Sequence, residues 1–304
     1  MTTPLRIGTR GSRLALWQAN FVAERLRPFA GSRPVALVEI ETTGDIVPEV
    51  PLSQIGGDGL FTKAIQEALL AHKVDVAVHS LKDLPTLPVA GLVLAAVPAR
   101  AATGDVFVSH RFLRFDDLPA GAVLATSSLR RRAQVLHRRP DLRLVNMRGN
   151  IETRLRKLKE DALDGLILAQ AGLERLGLAD AITEVLDPAW MLPAVGQGAL
   201  GLECRADDAD SRALVGQLDD RQTHLAVLAE RAFLRALGGG CLVPIGATTR
   251  IDDGILTLRG AVLPPDGSRK VEGTLAGPLN QAEQLGSQLA IELLGRGARE
   301  LLSL

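Results

Sequence analysis

Three turns in the sequence carry one chemistry: Arg10-Gly11-Ser12-Arg13, Ser127-Ser128-Leu129-Arg130-Arg131 and Arg148-Gly149-Asn150. Each sets a hydroxyl or amide side chain and a guanidinium where an apolar-periodic run begins, so each is expected at a helix N-terminus. Unpaired backbone N–H groups and the helix dipole favour an anion there. Arginine adds a planar fork that matches carboxylate or phosphate. Ordinary capping with solvated charge accounts for any one such turn. Basic residues oppose the dipole at that end, however, and three of these turns in one chain point to a ligand with several negative charges.

The basic residues are lopsided. Of 35 Lys and Arg only six are lysine, at 63, 73, 82, 157, 159 and 270. Base-composition bias accounts for the total but not for the clustering. Between Arg130 and Arg156 stand nine arginines against two acids, Asp141 and Glu152. The chain as a whole has a formal net charge of zero, so no global field draws it to nucleic acid or membrane. The partner implied is a local, polyanionic small molecule.

Other chemistry-bearing positions are fewer. Asp83 follows Lys82 in a loop just after an apolar strand, the strand end at which α/β folds bind ligands. Cys241 lies in "ALGGGCLVPIGA" behind three glycines, with little bulk around it, which suits an accessible thiolate but equally a small hydrophobe. Cys204 sits among acids that raise a thiol's pKa, and reads as structural. The five histidines show no metal-ligand spacing among themselves or with the cysteines, and His79 reads as packed or hydrogen-bonded. Gly196-Gln197-Gly198-Ala199-Leu200-Gly201 matches the dinucleotide fingerprint, but no strand precedes it and no helix pattern follows, so it reads as a hinge.

The elements that must position these residues follow from periodicity. Residues 5–8 read as a strand, and "RLALWQANFVAERL" as a helix capped by Ser12, with Leu14, Trp17, Phe21, Val22 and Leu26 on one face. "GGDGLF" is a glycine-rich loop before a helix, and "VDVAVHSLKDLP" a buried strand entering a loop. Three further strand–turn–helix units follow, with Asn150 as a cap and Gly177 as a stop. Residues 186–201 read as a crossing. After about 217 the character changes to a helix over 224–237, two strands flanking a "PPDG" turn, and a final helix with Leu285, Leu289 and Leu293 in step. The length suits two or three domains. No apolar run is long enough to span a membrane, and the start lacks the pattern of a secretory signal, so the cytoplasm is expected. At this point two readings stand: a transferase or lyase acting on a polyanion, and a two-lobed solute-binding module. The module needs neither Asp83 nor Cys241, and would ordinarily carry an export signal.

Along nearly its whole length the chain resembles the porphobilinogen deaminase (hydroxymethylbilane synthase) family. The stretches that carry the resemblance are "IGTRGSRLALWQA", "TTGD", "GGDGLFTK", "DVAVHSLKDLP", "ATSSLRRRAQ", "MRGNIETRL", "LILAQAGLERLG", "LPAVGQGALGLE", "AERAFLRALGGGC" and "VPIGA", in the family's order and spacing. The resemblance implies an α/β fold of three domains. The first two, 1–98 plus 195–217 and 99–194, resemble type II periplasmic binding proteins; the third, 218–304, is a small α+β domain carrying the cysteine. It implies a dipyrromethane cofactor attached covalently to Cys241 through a thioether, on a loop that glycines free to reach the cleft. Four porphobilinogen units would join head to tail with loss of ammonia, and hydrolysis would free hydroxymethylbilane. Asp83 matches the catalytic aspartate. Arg10, Ser12, Lys82, Thr126, Ser127, Ser128, Arg130, Arg131, Arg148, Gly149, Arg154, Arg175 and Gln197 match cofactor- and substrate-binding positions, with no metal. Gln54 and Asp58 stand where some members carry lysine, a departure in the loop before Phe61. The family implies a cytoplasmic monomer acting on a small molecule.

Overall fold

The computed structural model describes residues 3–42, 62–239 and 243–302. The expectations for Gln54, Asp58 and Cys241 lie outside the described residues. Two compact units result, Met1–Ala101 with Gly198–His224, and Ala102–Gln197 with Leu225–Leu304.

The first unit is built on a five-stranded sheet of order β2-β1-β3-β10-β4. Its strands are β1 (Leu5–Thr9), β2 (Val35–Glu39), β3 (Val76–Ser80), β4 (Leu92–Ala96) and β10 (Leu200–Arg205). β1 pairs in parallel with β2 and β3, whereas β10 lies antiparallel between β3 and β4. Every residue of β10 is buried, because helices cover both faces of the central strands. Helix Arg13–Leu26 packs on the side of Val76, Val78, Leu202 and Cys204. Helix Lys63–Leu70 packs on the side of Ala77 and Leu92.

The buried stripe of helix Arg13–Leu26 is Gln18, Ala19, Val22, Ala23 and Leu26, rotated from the face read off the sequence. Leu14, Trp17 and Phe21 are half-buried instead. Trp17 and Phe21 stack at 5.2 Å, and the Arg25 guanidinium lies 3.6 Å over Phe21. Small Ala19 and Ala23 let the helix approach the sheet, and the large rings are left to pair with each other at the edge.

The second unit repeats the pattern with order β7-β6-β8-β5-β9, comprising β5 (Asp105–Val108), β6 (Val123–Ala125), β7 (Arg143–Val145), β8 (Gly165–Ala169) and β9 (Glu184–Val185). β6 is parallel to β7 and β8, and β5 runs antiparallel to β8 and β9. Both sheets are therefore mixed. The glycine-rich 196–201 segment runs into strand β10 rather than a helix, which removes the dinucleotide fingerprint.

The same unit holds an antiparallel sheet of β11 (Ile245–Asp252), β12 (Ile255–Val262) and β13 (Val271–Pro278). Helices Arg221–Ala236 and Ala282–Leu293 cover one face, burying Phe233, Leu285, Leu289 and Leu293. β11 escapes the sequence reading because its glycine and paired threonines weaken the apolar alternation. The β12–β13 turn packs backbone to backbone on helix Leu129–Arg138. Gly267 has φ +71°, and a Cβ there would lie 2.4 Å from the Ala133 carbonyl oxygen. The His137 Nδ1 and the Gly267 carbonyl oxygen are 2.8 Å apart.

Candidate active site

In the first unit the carboxyl ends of β1 and β3 lie side by side and open onto a cavity of about 70 Å³, whose lining includes Arg10, Ser12, His79, Ser80 and Asp83. Ser12 caps helix Arg13–Leu26, its Oγ accepting from the Ala15 amide at 3.3 Å. β3 ends in a single tight turn, Leu81–Asp83, that lifts Asp83 to the cavity wall. The turn is fixed by Ser80, whose Oγ accepts from Gln18 Nε2 at 2.8 Å and lies 3.2 Å from Gln18 Oε1. Lys82 shares the turn but does not line the cavity. His79 is packed, as expected. Its Nε2 lies 3.2 Å from Glu203 Oε2, off the line of a hydrogen bond, while Gln66 Nε2 donates to both Glu203 oxygens.

The second unit carries Thr126, Ser127, Ser128, Arg130, Arg131, Arg148, Gly149, Arg154, Arg175 and Gln197. Ser128 caps helix Leu129–Arg138 by accepting from the Arg131 amide, and Asn150 caps helix Ile151–Glu160 by accepting from the Thr153 amide at 2.8 Å. Thr126 Oγ1 accepts from the Ser128 amide and tightens the first of these turns. Arg130 and Arg131 are buried and converge on Asp105, a residue the sequence reading did not single out. Arg130 Nη1 donates to Asp105 Oδ2 at 2.6 Å; Arg131 donates from Nε and Nη2 to Oδ1 at 3.0 and 2.7 Å. Gln197 Nε2 adds a third donor to Oδ1 at 3.0 Å. The only clue in sequence is an acid opening the apolar run "DVFV", with nothing local to name its partners.

Among the described residues, Arg148 Nη2 is buried and has no hydrogen-bond partner. Arg154 donates from Nε to the Gly149 carbonyl at 2.8 Å. Gly149 sits at φ +119°, where a Cβ would come within 2.7 Å of Thr153, so glycine alone lets this carbonyl turn to Arg154. Burial, then the charges of Arg131 and Arg148, push Arg154 down to about 10. Burial likewise pushes Arg175 down to about 10, against the charge of Glu174. A site that desolvates cations beside one another is prepared for an incoming anion. Cys204, by contrast, is a core thiol that burial pushes up to about 12.

Comparison with known proteins decides the family. Residues 5–213 match the model described as "Porphobilinogen deaminase, dipyromethane cofactor binding domain", and residues 224–295 match "Porphobilinogen deaminase, C-terminal domain". The chain belongs to the porphobilinogen deaminase family. It is similar to porphobilinogen deaminase of Desulforudis audaxviator, 52% identical over 98% of this chain and 96% of that protein. It is also similar to that of Syntrophotalea carbinolica, 50% identical over 99% of this chain and 96% of that one. Among solved structures, the methionine-binding protein MetQ matches 70% of this chain and 89% of its own, at 14% identity and a TM-score of 0.46. Family membership makes the chain an enzyme, a transferase with a dipyrromethane-binding domain. The residues present fit that group. Each of its two rings brings an acetate and a propionate, and Arg148 Nη2, buried and unpaired among the described residues, beside Arg154 is a donor set awaiting carboxylate. Among the described residues no helix is long and apolar enough to cross a membrane.

Proposed function

We propose that this chain joins four molecules of porphobilinogen head to tail with loss of ammonia and releases hydroxymethylbilane. The observation that carries the reading is the arginine cluster: Arg148 with a buried Nη2 unpartnered among the described residues, and Arg154 desolvated beside Arg131 and Arg148. Dipyrromethane, bound as a thioether at Cys241, supplies the primer that the new pyrroles extend.

The chain's own residues then divide the work. Arg130, Arg131, Arg148, Arg154 and Arg175 hold carboxylates, with Thr126, Ser127, Ser128, Gly149 and Gln197 shaping the turns and backbone around them. In the first unit, Arg10 and Ser12, on the cavity wall, bind the acid arms of porphobilinogen, with Lys82 adding positive charge from the turn beside them. Loss of ammonia from the aminomethyl arm leaves positive charge shared with the pyrrole nitrogen. The Asp83 carboxylate, on the cavity wall, offsets that charge and exchanges the proton at that nitrogen. A neutral chain has no field for nucleic acid or membrane, which supports a small-molecule substrate; a cytoplasmic monomer is the state that family resemblance implies.

Purified protein incubated with porphobilinogen tests the proposal. One ammonia should appear per pyrrole consumed, with hydroxymethylbilane as product. Binding of porphobilinogen without ammonia release would favour a solute-binding module and overturn the reading.

A further inference from the structure

Asp105 opens β5 and is fully buried, at 0% exposure. All of its described partners are donors. Arg130 occupies Oδ2, while Arg131 and Gln197 share Oδ1. Burial alone would push its carboxyl up, but the adjacent charges and hydrogen bonds of Arg130 and Arg131 outweigh it and hold the group far below the usual carboxylate range. Arg130 Nη1 also donates to the Leu192 carbonyl, and Arg131 is held at its other edge by Nη1 donating to the Ile167 carbonyl.

One carboxylate can neutralise only one of two guanidiniums. The pair therefore keeps a net positive charge after Asp105 has taken its share, and Arg154 feels that charge from Arg131. Each long side chain carries substantial rotamer entropy, and a ligand meeting loose arginines would have to freeze it on binding. With Asp105 in place that ordering is complete before any ligand arrives.

We propose that Asp105 is a positioning residue of the anion site: its carboxylate locks Arg130 and Arg131 in one orientation, so that the carboxylates of dipyrromethane meet guanidiniums already in place. The inference rests on the function proposed above and adds a residue that does not itself touch the ligand. A merely structural ion pair would register in melting temperature alone. A positioning role registers in the fraction of chains that carry the dipyrromethane mass, even where folding is intact.

The test compares wild type, Asp105→Glu, Asp105→Asn and Arg148→Ala by melting temperature and intact mass. Asp105→Glu keeps the charge but displaces the carboxylate by a methylene. It should melt close to wild type yet show clearly reduced occupancy, with Asp105→Asn falling roughly tenfold or more because it leaves two buried cations uncompensated. Wild-type occupancy in both folded Asp105 variants would overturn the inference, as would failure of both to fold, which would make Asp105 a core ion pair only. Loss of occupancy in Arg148→Ala with none in the Asp105 variants sinks this inference alone. A wild type lacking dipyrromethane sinks the proposed function with it.

Discussion

Ser127 Oγ donates a 2.6 Å hydrogen bond to the Met147 carbonyl and accepts from the Met147 amide at 3.1 Å. This doubled contact ties the turn that starts the Arg130–Arg131 helix to the segment that delivers Arg148. The hydroxyl proton is committed to Met147, so Ser127 acts by holding two arginine-bearing segments together. Ser127→Ala should cost about 1–2 kcal/mol, because both backbone groups of Met147 lose their partner. Urea denaturation checks it, and an unchanged midpoint would contradict this role.

Arg154 should trade stability for binding. Its guanidinium is desolvated beside Arg131 and Arg148, which disfavours the folded state whenever no anion is bound. In a Cys241→Ser background, expected to lack dipyrromethane, Arg154→Gln should raise the melting temperature. In the otherwise wild-type chain the same substitution should lower cofactor occupancy. A fall in melting temperature in the Cys241→Ser background would show that Arg154 is already compensated by protein groups.

Asp83→Asn should keep the fold and the cofactor but lose turnover. A neutral amide cannot offset a developing cation, and a few kcal/mol of transition-state stabilisation corresponds to roughly 100- to 1000-fold in rate. Ammonia release per loaded chain is the measurement. Turnover near wild type would remove Asp83 from the chemistry.

Acid should unfold the protein through its buried carboxylates. In Asp75, burial raises the pKa, but hydrogen bonds and charge from Arg6, with a bond from Arg205, bring it below the ordinary value. Asp105 is lowered in the same sense. A lowered carboxylate contributes stability that is present above its unfolded pKa, about 3.9, and is lost as pH falls through its folded value. Melting temperature should therefore hold level above pH about 5 and fall below about 4. Asp75→Asn should start lower and fall less steeply. An identical slope in that variant would exclude Asp75 from the acid transition.

The two cysteines should behave oppositely. With its pKa pushed up to about 12, Cys204 stays a buried thiol and should resist alkylation in the native protein at pH 8. Cys204→Ser should keep the dipyrromethane mass and the stepwise additions seen after brief exposure to porphobilinogen; Cys241→Ser should lose both. Freshly prepared wild type with the bare sequence mass, yet making hydroxymethylbilane, would refute the attachment.

What was legible in the sequence is what lies within a few residues along the chain. Ser12, Ser128 and Asn150 cap helices because each side chain reaches an amide three residues on, so the pattern is local. Gly177 is equally local: at φ +69° it ends a helix, with the Leu178 amide returning to the Leu173 carbonyl at 2.8 Å. The ordered run of motifs pointed to the family in the same way.

Tertiary structure alone decided the rest. Asp105 meets Arg130 across 25 positions and Gln197 across 92, separations over which no periodicity carries information. Strand β10 joins the first sheet, antiparallel to β3 and β4, only after the chain has completed the second unit's five-stranded sheet. Which face of helix Arg13–Leu26 is buried depended on the space above β3 and β10, where alanines fit and Trp17 does not. The arginines could be counted in the sequence, but which are neutralised and which await an anion depends on how closely a distant carboxylate approaches, and folding sets that distance.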